Sequence, residues 1–312
     1  MDWQQARAQH TEGTETWVVG RPALVMEFYG TGKELAPHGR TIFEKFLALV
    51  PEPERAHLHA LTTSSYKPLN AAAIRRAVKE LSELDKRGRF YSITSAAECQ
   101  IGEYSCEWSL GGKQEWTNDD VAIALPIAFA TPESASKIIS IFSDMLATVP
   151  FWGAIASIGY DVVWGREFEQ SALPVNWRLA QRHRGMLVHN RGQRGDLIIA
   201  DDGKVPRKRL YSAGWLTYLG QPLLEQLDGV SALDSAVQAG ATLTPLRGGA
   251  LVQAGPVPPV GDVNRQDKDV EILRQVHRAI EPIVLDVWTV PHYNILGVER
   301  DVADSWLHRF DE

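Results

Sequence analysis

The chain has 312 residues, 44% hydrophobic and 23% charged, with a formal net charge of −7. This is the make-up of a globular protein with a large core in one or two domains. It excludes a membrane helix, since no run of ~18 apolar residues exists. "MDWQQARAQH" lacks the apolar region of a signal peptide. Cys99 and Cys106 alone form no disulfide framework, so a cytoplasmic location is expected. Charge is uneven: residues 178–209 hold nine Lys/Arg against three acids, a local +6, and the remainder carries −13. An acidic body opposes general nucleic-acid binding and suits a basic protein partner.

In chain order, "TWVVGRPALVMEFYG" reads as extended, with a turn expected at Gly20–Pro22. A helix follows around Thr41–Val50. "AHLHALTTS" alternates with period two, which places His57 and His59 on one strand face. Asn70 is a good N-cap for a helix bearing Ile74, Val78 and Leu81 on one side and stopped by Gly88. "RFYSITS" and "GEYSCEWSLGG" read as strands, as does "DDVAIALPIAFA". Thr131, Pro132 and Glu133 open a helix to about Thr148, with Ile138, Ile141, Phe142 and Met145 as its buried stripe. "FWGAIASIGYDVVW" returns as a strand.

The basic segment that follows reads as irregular apart from "DLIIA". Beyond "GWLTYLG" come short helices after Pro222 and Val230, then strands "ATLTPL" and "GALVQAG". A helix from about Lys268 to Ile280, a strand "IVLDVWTV" and a helix in "DVADSWLHRF" complete the chain. Closely spaced strands favour hairpins, so the expected class is α+β, a mixed, mainly antiparallel sheet flanked by helices. One domain over 1–312 is expected, with two related lobes, 14–165 and 166–312, as an open alternative.

No phosphate-loop, dinucleotide, nucleophile-elbow or H-E-x-x-H motif is present. His57 and His59 lack the further ligands a zinc site needs, and Cys99 and Cys106 lie seven residues apart, so no metal and no cofactor are expected. "RHRGMLVHNRGQR" fits a solvated basic loop better than a phosphate site. "ECQIGEYSCEWSLGGKQEWTNDD" carries six acids against one base, interleaved with Tyr104, Trp108 and Trp116. The plain reading is an edge hairpin with polar residues out. The functional reading is a partner surface made mainly of Glu103, Glu107, Trp116, Asp119 and Asp120.

The loop "GGALVQAGPVPPVGDVNR" offers Asp262 and Asn264, yet no His, Lys or Ser at a companion spacing. Its prolines remove amide donors, which leaves a rigid strand-to-helix connection. That loop, with "GWLTYLG" before it and "WLHRFDE" at the C-terminus, resembles the bacterial type VI immunity family. The resemblance is strongest over 212–312 and extends more loosely over the earlier elements. It implies an antidote and not an enzyme: a protein that binds its cognate type VI effector toxin and protects the producing cell. Some relatives are associated with nuclease toxins. The resemblance maps no catalytic residues and no toxin contacts. Two other classes stay open: an effector adaptor or chaperone, and an enzyme using Asp262 with a histidine from another segment.

Overall fold

The computed structural model describes residues 3–61, 66–82, 89–96, 100–110, 119–163, 166–187, 198–199, 207–265, 270–285 and 298–310. In chain order these form β1 (Ala8–Glu12), β2 (Glu15–Gly30), α1 (Gly32–Leu35), α2 (Gly39–Leu49), α3 (Glu52–Arg55), β3 (His59–Leu61) and β4 (Tyr66–Pro68). Next come α4 (Ala71–Ser82), β5 (Arg89–Thr94), β6 (Ser105–Leu110), β7 (Asp119–Pro126), α5 (Pro132–Thr148), β8 (Gly153–Val162) and α6 (Arg166–Arg182). The chain continues through β9 (Ile198–Ile199), β10 (Arg207–Lys208), β11 (Leu216–Gly220), α7 (Gln221–Gln226), α8 (Asp234–Gln238), β12 (Thr242–Leu246), β13 (Gly249–Gln253), α9 (Glu271–Ile280) and α10 (Arg300–Leu307).

Eleven strands make one sheet in the order β12-β13-β11-β8-β2-β7-β6-β5-β3-β4, with β1 also on β2. Every pairing described within it is antiparallel. The α+β, mainly antiparallel expectation therefore holds. β11 pairs with β8, so strands from 14–165 and from 166–312 share a single sheet. Trp215, Leu216 and Leu251 also share a core with Phe28 and Phe43. A division into two related lobes is not established by this arrangement.

Alternation in β2 decides the layers. Leu24, Met26 and Phe28 face a core completed by Phe43 and Phe46 of α2 and Ile138, Phe142 and Met145 of α5. The Phe28 ring lies 5.0 Å from both Phe142 and Phe151. A second core joins Ile155, Leu219, Ala250 and Val252 to Leu273, Val276, Trp306 and Phe310 of the C-terminal helices. The 16-residue β2 and the 10-residue β8 are thus covered along most of their length. This accounts for their near-continuous apolar sequence. Both ends of the strand order carry a proline, Pro245 in β12 and Pro68 in β4, which blunts the unpaired edges.

Local signals explain the element ends. The Asn70 side chain accepts from the amides of Ala72 and Ala73 at 3.0 and 2.9 Å, the expected cap. Gly88, the expected stop, lies outside the described residues. Pro132 opens α5, but the Thr131 hydroxyl makes no capping bond. Gly249 sits where β13 meets β11, and a Cβ there would lie 2.2 Å from the Leu219 carbonyl oxygen, so only glycine permits that pairing.

Four expectations are corrected. Gly20–Pro22 is no turn: β2 runs straight through it. Pro22 falls between Gly20, the last residue paired with β1, and Ala23, the first paired with β7, where that flank of the ladder is interrupted. His57 precedes β3 and does not share a strand face with His59, whose Nδ1 lies 2.8 Å from the His57 carbonyl oxygen. Residues 166–182 are a helix despite Pro174 inside it, so the basic segment begins on α6. Ile283 closes a 3-10 turn where a strand was expected, and that strand's continuation past Leu285 lies outside the described residues. No described helix is long and apolar enough to cross a membrane.

Candidate functional site

Register builds a second, polar face on the N-terminal part of the sheet. Glu27 of β2, Ala122 of β7, Glu107 of β6 and Ser92 of β5 lie in one row. Tyr29, Asp120 and Ser109 form the next row, and Val25, Ala124, Ser105 and Thr94 the row on the other side. Small side chains leave room between the carboxylates. The Tyr29 hydroxyl donates to Glu27 Oε2 at 2.6 Å. Ser105 Oγ donates to Asp161 Oδ2 at 3.0 Å. A polar pocket of about 10 Å³, lined in part by Tyr66, Ser92, Glu107 and Asp161, is on the scale of one water.

Arg21 anchors one end of this face. It is 2% exposed and donates through Nε to the Gly102 carbonyl and through Nη2 to the Glu103 carbonyl, both at 2.7 Å. Its Nη2 is 3.5 Å from Asp161, its direct register partner on β8. Glu103 stands at the rim, its side chain 46% exposed, and pairs with Arg7 at 2.8 Å.

The predicted partner surface is therefore redistributed. Glu103 is accessible. Glu107, Asp119 and Asp120 are buried at 4%, 0% and 1% exposure, so the expectation that they face outward is corrected. The alternation was read rightly: Tyr104, Cys106 and Trp108 enter the apolar core while Ser105 and Glu107 take the opposite side. The edge-hairpin reading failed because β6 lies between β5 and β7, and because its polar face is covered too. Asp119 accepts from the amide of Gly32 at the start of α1. Trp116 lies outside the described residues, as does Cys99. Burial pushes the Cys106 thiol well above the ordinary range, with Glu107 beside it adding to the effect, so it is an inert core residue. Among the described residues no three His, Cys, Asp or Glu side chains gather as a metal site.

The glycine- and proline-rich loop is pinned scaffold. Trp215 Nε1 and Gln253 Nε2 both donate to the Gly255 carbonyl, at 2.9 and 2.8 Å. Gly261 has φ +67°, and a Cβ there would lie 2.5 Å from Val270. The Asp262 carboxylate takes two bonds from Arg182, 3.2 Å from Nε and 2.9 Å from Nη2, and a third from its own turn, the Asn264 amide at 3.1 Å. The Arg182 bonds hold its pKa below the ordinary carboxylate range, with the Asn264 amide adding to them. Arg182 and the turn itself thus hold this carboxylate in place, with His183 bridged to it along the backbone.

A pH test follows. A carboxylate whose folded pKa is depressed contributes stability above its unfolded pKa and loses it as pH falls through the folded value. Asp262→Asn should lower Tm at neutral pH. The gap from the wild type should close as pH drops below the usual carboxylate range. Thermal unfolding across a pH series measures it, and a gap independent of pH would contradict this role.

Residues 43–310 match TsiV, the family described as type VI immunity for VRR-NUC. No curated protein matches the chain. The structure is similar to that of the Pseudomonas aeruginosa T6SS protein PA0821, with a TM-score of 0.75 and 18% identity over 96% of this chain and 85% of that one. At that identity the likeness shows the fold. Since the family match spans most of the chain, the protein belongs to the TsiV family of type VI immunity proteins.

Proposed function

We propose that this protein neutralises a type VI effector by binding it in the cytoplasm, covering its active site or blocking its assembly, and that the effector is a nuclease of the VRR-NUC kind. The observation that carries the reading is the family match over 43–310. Charge supports it: a nuclease must present basic surface to a phosphate backbone, and this chain carries a net −7. The protein acts as a binding partner and not as an enzyme. An adaptor that delivers the effector without suppressing it is the second reading, and it differs in leaving the toxin active.

Glu103 is the accessible member of the acidic run and our candidate for toxin contact. Glu103→Lys should slow association with the effector by roughly tenfold at low salt and flatten its salt dependence, as rim charges act mainly on encounter. The Arg7–Glu103 pair, with side chains 32% and 46% exposed, contributes at most about 1 kcal/mol to the fold. Glu103 Oε2 also lies 3.9 Å from the buried Arg21 Nη1, so a lysine there costs stability too, and thermal unfolding of the variant is measured beside the kinetics. Stopped-flow or surface-plasmon kinetics decide the point, and an unchanged association rate would remove this rim from the interface.

A further inference from the structure

A cavity of about 450 Å³ opens where the C-terminal end of α5, the start of β8, β10 and the β12–β13 turn converge. Its size is that of a small-molecule site. Residues 146–151 supply a largely apolar wall, and the charged and polar lining includes Glu34, His38, Trp152, Lys208, Tyr218 and Arg247. Trp152 of this lining stacks on Tyr29 of the acidic sheet face, with ring centres 5.5 Å apart, so the two places adjoin.

Lys208 is half-buried, and its Nζ sits 5.6 Å from the centre of the Trp152 ring. Neither its ammonium nor the Arg247 guanidinium makes an ion pair or hydrogen bond among the described residues. Glu34 is the acid in the lining: it accepts the Thr31 hydroxyl at 2.7 Å, and its charge offsets part of the desolvation that lowers the pKa of Lys208. Trp152 is 3% exposed, yet its buried indole N–H reaches no acceptor among the described residues. Tyr218 is likewise 3% exposed, and its hydroxyl donates to no described group. A side chain at Gly249 would crowd that hydroxyl at 2.8 Å, so the glycine keeps it clear. Here Lys208 and Arg247 bring two positive charges, neither of them ion-paired or hydrogen-bonded among the described residues, to one concave space, with Tyr218 beside them.

We propose that this cavity binds a small organic anion, a carboxylate or phosphate carried on an apolar body, with Lys208 and Arg247 balancing its charge and the Tyr218 hydroxyl as a neutral donor. The anion head would sit among these donors and the body against the 146–151 wall.

Calorimetric titration of the full chain with phenyl phosphate, benzoate and the neutral benzyl alcohol tests it. Saturable one-to-one binding of at least one anion is expected, with none for benzyl alcohol. The tighter of the two anions identifies the head group. Lys208→Met keeps an aliphatic stem over Trp152, and Arg247→Gln alters an exposed turn; each should weaken binding by roughly tenfold or more. Should Lys208→Met fail to fold, Arg247→Gln decides alone. Absence of saturable binding of both anions, equal binding of benzyl alcohol, or unchanged affinity in Arg247→Gln would overturn the proposal.

Discussion

Arg21→Ala should lower the unfolding free energy by about 3–5 kcal/mol, the scale for removing one partner of a buried ion pair. The side chain is 2% exposed and joins strands distant in sequence. Its guanidinium donates to the carbonyls of Gly102, Glu103 and Leu125, and it faces Asp161 across the β2–β8 ladder. Alanine leaves those carbonyls without this donor and the buried Asp161 without its countercharge. Denaturant melts should show a lower midpoint with an unchanged slope. The double variant Arg21→Met with Asp161→Leu should lose much less than the two single losses combined, because it removes both charges together. A loss below about 1 kcal/mol for Arg21→Ala would mean that the pair behaves as a solvated surface contact.

Much of the fold was legible in local chemistry. Asn70, Pro132 and the Ile138–Met145 stripe marked α4 and α5 because caps and periodicity act within a few residues. α6 was missed although Phe168, Ala172, Val175 and Leu179 recur at helical spacing and pack in one cluster. Pro174 interrupts the pattern, and the surrounding charge masks it. In β6, alternation told which side chains share a face. It could not tell that the polar side is covered, since that depends on neighbours far along the chain. Asp262 read correctly as a turn former, while its Arg182 partner is 80 residues away. The cavity was invisible for the same reason. Glu34, Trp152, Lys208, Tyr218 and Arg247 come from five separate segments, and Lys208 lies in the basic segment that reads as irregular.

The largest functional effect expected is neutralisation itself. If the protein covers an effector surface of standard size, on the order of 1,600 Å² in total, a dissociation constant on the order of 10⁻⁹ M or below is within reach. Tight binding alone does not separate immunity from delivery. An adaptor would also form a complex, but would leave the effector toxic. An antidote must abolish nuclease activity once it matches the effector in number, because each bound copy removes one active toxin. The charge argument adds that high salt should slow assembly of the complex. It should leave an assembled complex largely intact if apolar anchors carry the affinity.

The most direct measurement is growth of cells producing the proposed target, a type VI effector nuclease of the VRR-NUC kind, with and without the protein itself. Neutralisation predicts collapse of viability with the effector alone, full plating when both are produced, and loss of nuclease activity at a one-to-one ratio of the purified proteins. Continued killing in cells where the two proteins form a stable complex, or the absence of any complex, would contradict the account.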